Sequence, residues 1–252
     1  MKPLLRWLAL VLLAAVALEL FFVLRIALMA GVDPQSTSFQ RSEIWAQLHS
    51  RGSLRWQQQW VPYAQISDHL KRAVIASEDD GFTSHEGVDW NAVEKAWERN
   101  ARAEAQAQAR AAKAGKAAPA ASPAQPQRAP KIRGGSTITQ QLAKNLLLSG
   151  ERTLLRKGQE FILTMALELF LSKQRILEIY LNNVEWGEGV FGAEAAAQHY
   201  YRKSAARLTP AEAARLAVML PAPKRFEKTP GSAYLAGRTR TILARMGSAQ
   251  LP

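Results

Sequence analysis

Residues 154–181 read LLRKGQEFILTMALELFLSKQRILEIYL, and large apolar residues recur through them at intervals of three and four. This period places apolar side chains along one face of an α-helix. Ser172 and Lys173 interrupt the pattern, so we predict two consecutive helices with a break between them. The apolar positions that define the pattern are Leu155, Phe161, Ile162, Met165, Leu169, Phe170, Ile176, Leu177 and Leu181.

Helix signals also lie on both sides of this stretch, whereas strand signals are scarce. Ser67 is a predicted N-cap before the apolar run that begins near Ile66. Thr209 and Glu212 have the spacing of a capping box, with Pro210 at the first helical position and Pro221 as the stop. Further helices are predicted over about 137–149 and 232–246. The expected fold class is therefore mainly α.

Composition limits the partners and the chemistry. The chain has 252 residues, with 33 Lys plus Arg against 21 Asp plus Glu, and a net charge of +12. That excess favours an anionic partner such as nucleic acid, an anionic membrane surface or a phosphorylated substrate. The chain has no cysteine, which excludes disulfides and cysteine-based zinc sites.

The N-terminus predicts a single membrane anchor. Residues 7–24 are apolar apart from Glu19, which is close to the length that crosses a bilayer. Lys2 and Arg6 precede the run, so the remaining chain is expected on the side away from the cytoplasm. A cleaved signal peptide is the alternative, but the run is long for one and no clear cleavage site follows. Glu19 is costly in lipid; it snorkels, pairs with a partner helix or marks a shorter span.

The predicted domain boundaries follow from these changes in composition. We predict a cytoplasmic tail at 1–6, an anchor at 7–29, a membrane-proximal linker at 30–60 and one catalytic domain at 61–252. An Ala-, Pro- and Gln-rich segment at about 101–131 lacks large apolar residues, so it interrupts that domain as an insertion. The first half of the insertion favours a helix, and the second half holds four prolines, which favour a mobile loop.

Residues 75–87, IASEDDGFTSHEG, contain acidic side chains at the point where an apolar helix is predicted to end. Leu70, Val74 and Glu78 share one helical face, so Glu78 continues an apolar stripe. Burial and the negative end of the helix dipole both raise the pKa of a carboxyl there, as a general base requires. The alternatives are an exposed, frayed helix end, or Asp79 and Asp80 as turn formers. For His85, the alternative to a catalytic role is a structural hydrogen bond.

A polar and basic segment follows at 133–160. Thr137 and Gln140 have capping-box spacing after a double glycine, and such a helix start favours an anion. Glu160 lies four residues after Arg156, which by itself suggests a helical ion pair. The other polar and basic residues of the segment suit a phosphate or pyrophosphate, or else form an ordinary solvated face. They are Gln141, Lys144, Asn145, Arg152, Arg156 and Lys157.

Four blocks in this order closely resemble the signature blocks of the peptidoglycan glycosyltransferases, glycosyltransferase family 51. They are EDDGFTSHEG, GGSTITQQLAKN, RKGQE and RILEIYLNNVEWGEGVFGAEAAAQHYY, and the resemblance covers about residues 61–230. The chain looks like the monofunctional members, because bifunctional penicillin-binding proteins add a transpeptidase domain with a Ser-x-x-Lys nucleophile. No serine in this chain has a lysine three positions later.

The resemblance implies a lysozyme-like, mainly α fold with a small membrane-proximal lobe. It implies that lipid II is polymerised into β-1,4-linked glycan, with inversion at the anomeric carbon and release of undecaprenyl pyrophosphate. Glu78 matches the general base, and Glu160 matches a second catalytic glutamate that assists the leaving group or organises the site. The implied substrate-binding residues are Asp79, Ser136, Thr137, Gln140, Gln141, Lys144, Asn145, Arg152 and Lys157. The metal ligands are unknown, although a divalent cation (Mg or Mn) is implied for the pyrophosphate.

The expected partners are lipid II, the nascent glycan and the membrane. We expect no nucleic acid, because the anchor places the domain outside the cytoplasm. The expected location is the bacterial inner membrane, with the catalytic domain on the periplasmic side. An alternative enzyme class is a muramidase or lytic transglycosylase acting on finished peptidoglycan, and a third class is a non-enzymatic binder of nucleic acid or anionic lipid. The insertion at 101–131 is longer than is usual in the family.

Overall fold

The computed structural model describes residues 2–117, 135–148, 150–151 and 153–252, and most of these residues are helical, as predicted. Among the described residues, contacts separate one unit up to Val88 and from Thr137 onward from a second unit, Asp89–Ser136. The helices are α1 (Lys2–Leu28), α2 (Ser38–Arg51), α3 (Asp68–Glu78), α4 (Trp90–Ala117), α5 (Ile138–Leu147), α6 (Leu154–Phe170), α7 (Lys173–Asn183), α8 (Ala193–Tyr201), α9 (Pro210–Met219), α10 (Pro223–Lys228) and α11 (Ala233–Arg245).

The predicted helix starts are confirmed by their capping hydrogen bonds. The Ser67 side chain accepts from His69 N at the start of α3. Thr137 begins α5 and Thr209 begins α9, and both form complete capping boxes. These side chains satisfy backbone N–H groups that the first turn of a helix leaves without partners. Local sequence therefore sets where these helices begin.

The break predicted inside the long apolar stretch is also confirmed. Helix α6 ends at Phe170, and α7 begins at Lys173 with Ser172 as its N-cap. The Ser172 hydroxyl accepts from Arg175 N at 3.2 Å. Because Ser172 has an extended backbone, the chain changes direction there and α7 can leave the line of α6.

The core of the first unit lies where α3 packs on α9 and α9 packs on α11. Leu70 and Val74 of α3 are fully buried in this core. Trp186 is also fully buried, and its Nε1 donates to Leu216 O at 3.1 Å. Truncating Leu70 to Ala should cost about 2–5 kcal/mol, since the cavity left in close-packed helices cannot collapse fully.

Three short strands form the sheet seen in the described residues. The strands are β1 (Gln57–Gln58), β2 (Glu185–Gly187) and β3 (Val190–Phe191). The strand order is β1-β3-β2, with β1 parallel and β2 antiparallel to β3. Strand β2 contains Glu185 and Trp186, and both residues are buried in the first unit.

Helix α1 is the only described helix that is long and apolar enough to span a membrane. Most of its side chains are exposed in the isolated chain, but Ile26 and Met29 near its end are buried in the core. The segment 30–60, predicted as a linker, contains α2 and β1, and α2 packs on α5. This segment therefore contributes structure close to the catalytic region.

The second unit contains α4, which runs to Ala117. The helix predicted for the first half of the insertion at 101–131 is therefore present. The proline-rich half, where a mobile loop is predicted, lies outside the described residues.

Candidate active site

Glu78 is the last residue of α3, and its carboxylate is partly buried and hydrogen-bonded. Its Oε2 accepts from Gln141 Nε2 at 3.2 Å, and its Oε1 accepts from Ser77 Oγ at 3.3 Å. Burial raises the pKa of Glu78, although these two hydrogen bonds act in the opposite direction. The predicted direction of the pKa shift is therefore confirmed, and the alternative of a frayed, solvated helix end is wrong.

Tyr180 of α7 extends this hydrogen-bonded chain. Its hydroxyl donates to Gln141 Oε1 at 3.0 Å, so Gln141 links Tyr180 to Glu78. Accepting from Tyr180 fixes the orientation of the Gln141 amide, which leaves Nε2 facing Glu78. The sequence analysis missed Tyr180, since a tyrosine on the apolar face with Ile176 reads as a core residue.

Asp79 lies within the protein between α3 and α5. Its Oδ1 is 2.9 Å from His85 Nε2, and its Oδ2 accepts from Ile138 N at 2.9 Å. The side chain is buried, and both oxygens are used by protein groups. Asp79 therefore joins α3 to the start of α5, and the substrate contact expected for it stays a prediction. His85 has the structural role that the sequence analysis kept as its alternative.

Gly87 brings the acidic loop against α5 and α6. It has φ +87°, and a Cβ there would lie 2.8 Å from Thr164 Cγ2. Thr137 Oγ1 donates to Gly87 O at 2.6 Å. Both the left-handed backbone and the close approach require glycine. This contact helps to hold the loop that follows Glu78.

The predicted binding residues at the start of α5 have different positions. Thr137 and Gln140 are buried in their capping box, where Gln140 Oε1 accepts from Thr137 N at 3.1 Å. Their side chains therefore shape the helix start. Ser136 is exposed and belongs to the second unit.

Glu160 is a buried carboxylate held by two cations of its own helix. Its Oε2 accepts from Arg156 Nη1 at 3.0 Å, and its Oε1 accepts from Lys157 Nζ. Arg156 is largely buried, whereas about half of the Lys157 side chain is exposed. The i,i+4 ion pair predicted from sequence is confirmed. This arrangement fixes two positive groups at one end of the site.

A cavity of about 830 Å³ connects these groups. Gln141, which binds Glu78, and Arg156, which binds Glu160, both line it. Lys144 and Asn145 line the same cavity one turn along α5. Arg152, predicted to bind substrate, lies outside the described residues. Residues of α2 form another wall, which the sequence analysis missed: Ser38, Phe39, Arg41, Ser42 and Glu43.

Another carboxylate, Glu185, lines the cavity itself and was not predicted. Burial raises its pKa to about 7. Lys224 lies between Glu185 and Glu43, bonded to Glu43 and 3.4 Å from Glu185 Oε1. Sequence could not identify this group, because the three residues are far apart in the chain.

The described residues contain no group of three or more His, Asp or Glu side chains that could hold a metal ion. Asp79, which neighbours Glu78, has both oxygens engaged. Within the described part of the chain, these residues therefore form no protein-built divalent cation site.

Comparison with known proteins gives the family. The model of the family described as transglycosylase matches residues 46–110 and 117–247. Proteins named biosynthetic peptidoglycan transglycosylase from Herminiimonas arsenicoxydans and from Janthinobacterium sp. (strain Marseille) are each 50% identical over 253 residues, covering 100% of this chain and 99% of theirs. The protein of that name from Paraburkholderia xenovorans (strain LB400) is 49% identical, covering 98% of this chain and 94% of its own. The family model and these relatives show that this chain belongs to the transglycosylase family.

Proposed function

We propose that this enzyme is a monofunctional peptidoglycan glycosyltransferase that polymerises lipid II into β-1,4-linked glycan strands and releases undecaprenyl pyrophosphate. The observation that carries the proposal is a cavity lined both by Gln141, which binds Glu78, and by Arg156, which binds the unlike glutamate Glu160. Glu78 has a raised pKa and neutral hydrogen-bond partners. Glu160 is held by Arg156 and Lys157. A base and a cationic anion site are the two parts that this transfer needs.

Glu78 acts as the general base. Its carboxylate takes the proton from the 4-hydroxyl of the acceptor sugar, and that oxygen attacks the anomeric carbon of the donor. The bond from the anomeric carbon to the pyrophosphate oxygen breaks, and the leaving lipid pyrophosphate takes the electron pair. A single displacement of this kind inverts the anomeric configuration. The raised pKa strengthens Glu78 as a proton acceptor.

The cationic end of the cavity stabilises the departing pyrophosphate. Negative charge on that group grows as the sugar bond breaks, so fixed cations stabilise the transition state more than the ground state. Lys144 and Arg156 line the cavity, and Lys157 is next to Arg156. Glu160 positions Arg156 and Lys157, which favours the site-organising role among the two roles predicted for it. The cavity volume is within the range of sites that bind small ligands.

The anchor keeps this site at the membrane, where a lipid-linked substrate lies. Helix α1 supplies the span, and α6 carries a row of exposed apolar residues beside it. These residues are Leu154, Leu155, Phe161, Ile162, Leu169 and Phe170. An apolar row next to a membrane span supports seating α6 in the bilayer surface. With Lys2 and Arg6 on the cytoplasmic side, the enzyme is proposed to face the periplasm from the inner membrane.

Purified full-length protein in lipid vesicles, incubated with lipid II, tests the function. The proposal expects long glycan strands and free undecaprenyl pyrophosphate. Release of fragments from finished peptidoglycan, with lipid II left unchanged, would instead support the muramidase or lytic transglycosylase alternative. Glu78→Gln is the control for contaminating activity, because it keeps the shape of the side chain and removes the base.

The divalent cation expected from the family resemblance stays a prediction, and no step above depends on it. Its test is the same assay with a chelator and then with added Mg²⁺ or Mn²⁺. The prediction expects the rate of polymerisation to fall with the chelator and to return with the ion. A rate that is unchanged by the chelator would contradict it.

A further inference from the structure

Glu19, the acidic residue of the apolar N-terminal helix, has a partner in its own chain. Its Oε1 accepts a hydrogen bond from Gln159 Nε2 of α6 at 2.9 Å. Glu19 lies nine residues before the end of α1 at Leu28, which is about 14 Å along the helix axis. A carboxylate within an apolar helix that is long enough to span a membrane is costly and points to a specific role.

We infer that Glu19 is a positioning residue that, through Gln159, fixes the rotation of α6 against the anchor helix and so orients Glu160 together with Lys157 and with Arg156, which lines the cavity. This inference rests on the proposed function for the role of Glu160. The proximity of Glu19 to Gln159 can be measured separately, by an experiment that does not require enzymatic activity.

The end of the anchor helix is held firmly by the catalytic domain. Ile26 and Met29 are buried in the core, with Phe22 and Val23 packed against it. Arg175 of α7 donates from Nε to Met29 O at 2.8 Å. The anchor is therefore part of the folded unit, and its rotation about its own axis is defined at this end.

Glu19 provides a second fixed point, which acts on α6. Helices α1 and α6 pack side by side. Gln159 and Glu160 are consecutive, so their side chains leave α6 about 100° apart. Gln159 contacts α1, while Glu160 contacts Arg156 and Lys157. A rotation of α6 that breaks the Gln159 contact therefore also moves Glu160.

The exposed apolar surface of α6 cannot define its rotation against α1, and its buried side chains, Leu163 and Leu167 among them, hold it in the core, where α5 packs on it. Its exposed apolar side chains, such as Leu155, Ile162 and Leu169, have no directional contacts to make with lipid or with α1. A single polar pair within an apolar helix contact can set the register of that contact. The Glu19–Gln159 hydrogen bond is the polar contact between these two helices that the described residues show.

The pair is poorly suited to a purely stabilising role. Glu19 Oε2 is buried and has no hydrogen-bond partner among the described residues. A buried polar atom without a partner costs free energy. Replacing both residues with leucine should therefore leave the thermal stability unchanged or raised, whereas loss of a positioning contact should slow the reaction.

The first test measures proximity and uses the absence of native cysteine. The Glu19→Cys/Gln159→Cys variant of the full chain, in native membranes, is treated with a mild oxidant or a short bismaleimide. We expect an intramolecular cross-link. Leu12→Cys/Gln159→Cys is the matched control, seven residues or about 10 Å away along α1, and should not cross-link. No cross-link at 19/159, or equal cross-linking in both, would overturn the contact whether or not lipid II is polymerised.

The second test measures kcat and KM for lipid II in full-length variants. We expect Glu19→Leu and Gln159→Leu each to lower kcat about fivefold to tenfold, with KM little changed, and the double variant to be no slower than either single one. Glu19→Gln keeps an acceptor oxygen and should retain most of the activity. Losses that multiply in the double variant, or unchanged kcat in both single variants, would overturn the positioning role.

A composition-matched variant separates position from hydropathy. Glu19→Leu/Leu20→Glu keeps one carboxyl in the helix but moves it about 100° around the axis. The inference expects this variant to be as slow as Glu19→Leu, with the same melting temperature as the wild type. Full activity in this variant would show that any acidic residue at this depth suffices and would overturn the inference.

Discussion

Glu78 and Glu160, the two glutamates whose partners line the cavity, have opposite environments. Glu78 accepts hydrogen bonds from the neutral groups of Gln141 and Ser77, and burial raises its pKa. Glu160 is buried as well, but Arg156 and Lys157 occupy both of its oxygens. The comparison teaches that the neighbours, and not the residue type, decide whether a carboxylate takes a proton or organises cations.

Removing the base should produce the largest effect on this comparison. We expect Glu78→Gln to lower kcat about 10³-fold, because the acceptor hydroxyl loses its proton acceptor. Binding of lipid II should be largely kept, since the cationic end is unchanged. A steady-state polymerisation assay with a direct binding measurement checks both. Retained turnover would remove Glu78 from the mechanism.

The pH dependence of the stability of Glu78→Gln provides a second test, because the raised pKa of Glu78 fixes the direction of the expected change. Because the pKa of Glu78 is raised in the folded state, that state binds more protons than the unfolded state between the two pKa values. The contribution of Glu78 to stability therefore falls as the pH rises through this window. Thermal melts should show Glu78→Gln at least as stable as the wild type at pH 8, with the difference shrinking toward pH 4. A variant that is less stable at pH 8 would contradict the pKa shift.

Disturbing the cationic end should have the next largest effect. We expect Glu160→Gln to lower kcat about 10²-fold, because Arg156 and Lys157 lose their charged acceptor and their fixed position. Lys157→Ala should be milder, since about half of that side chain is exposed. Kinetics of both variants, with melting temperatures, test the order. An effect of Lys157→Ala larger than that of Glu160→Gln would contradict the organising role.

Changing a single cation that lines the cavity should act mainly on binding. We expect Lys144→Ala to raise KM for lipid II about tenfold, because a charge-assisted contact to pyrophosphate is lost. The exposure of Lys144 makes this contact sensitive to salt, so the gap from wild type should narrow at high ionic strength. Lys144→Arg is the charge-preserving control. An unchanged KM in Lys144→Ala would rule out that role.

The smallest expected effect concerns the fine adjustment of Glu78. The Gln141 hydrogen bond lowers the pKa of Glu78, so Gln141→Leu should raise it further. The base works deprotonated, so the acid limb of the kcat profile should move to higher pH by up to about one unit.

Tyr180→Phe tests the same series of hydrogen bonds at its other end, where Tyr180 donates to Gln141. Tyr180 only orients the Gln141 amide, so its loss should move the acid limb in the same direction by less. Both profiles are measured from about pH 4 to pH 9. A shift toward lower pH in either variant would show that these bonds do not favour the charged carboxylate.

Much of this arrangement could be predicted from local sequence. The caps at Ser67, Thr137 and Thr209 and the break at Ser172 are contacts within a few residues of each other, which the chain itself specifies. The same holds for the ion pair of Arg156 with Glu160, one helical turn apart. The placement of Glu78 at the end of an apolar face followed from the helical period.

Contacts between residues far apart in the sequence could not be predicted from local sequence patterns. Tyr180 contacts Gln141 across 39 positions, and Lys224 contacts Glu43 across 181. The bond from Ile138 N to Asp79 likewise joins residues 59 positions apart. Each of these outcomes depends on which helix faces lie against one another.

By itself the sequence determined the helices, their starts, the apolar anchor and the two glutamates that we propose as functional residues. Only the tertiary structure decided what surrounds each glutamate, that α2 lines the cavity, and that Glu19 pairs with Gln159. The physical reason is the separation along the sequence over which each interaction acts. Helix periodicity and capping act within one or two turns, whereas the burial and hydrogen bonding that set a carboxylate's chemistry come from residues brought together by packing.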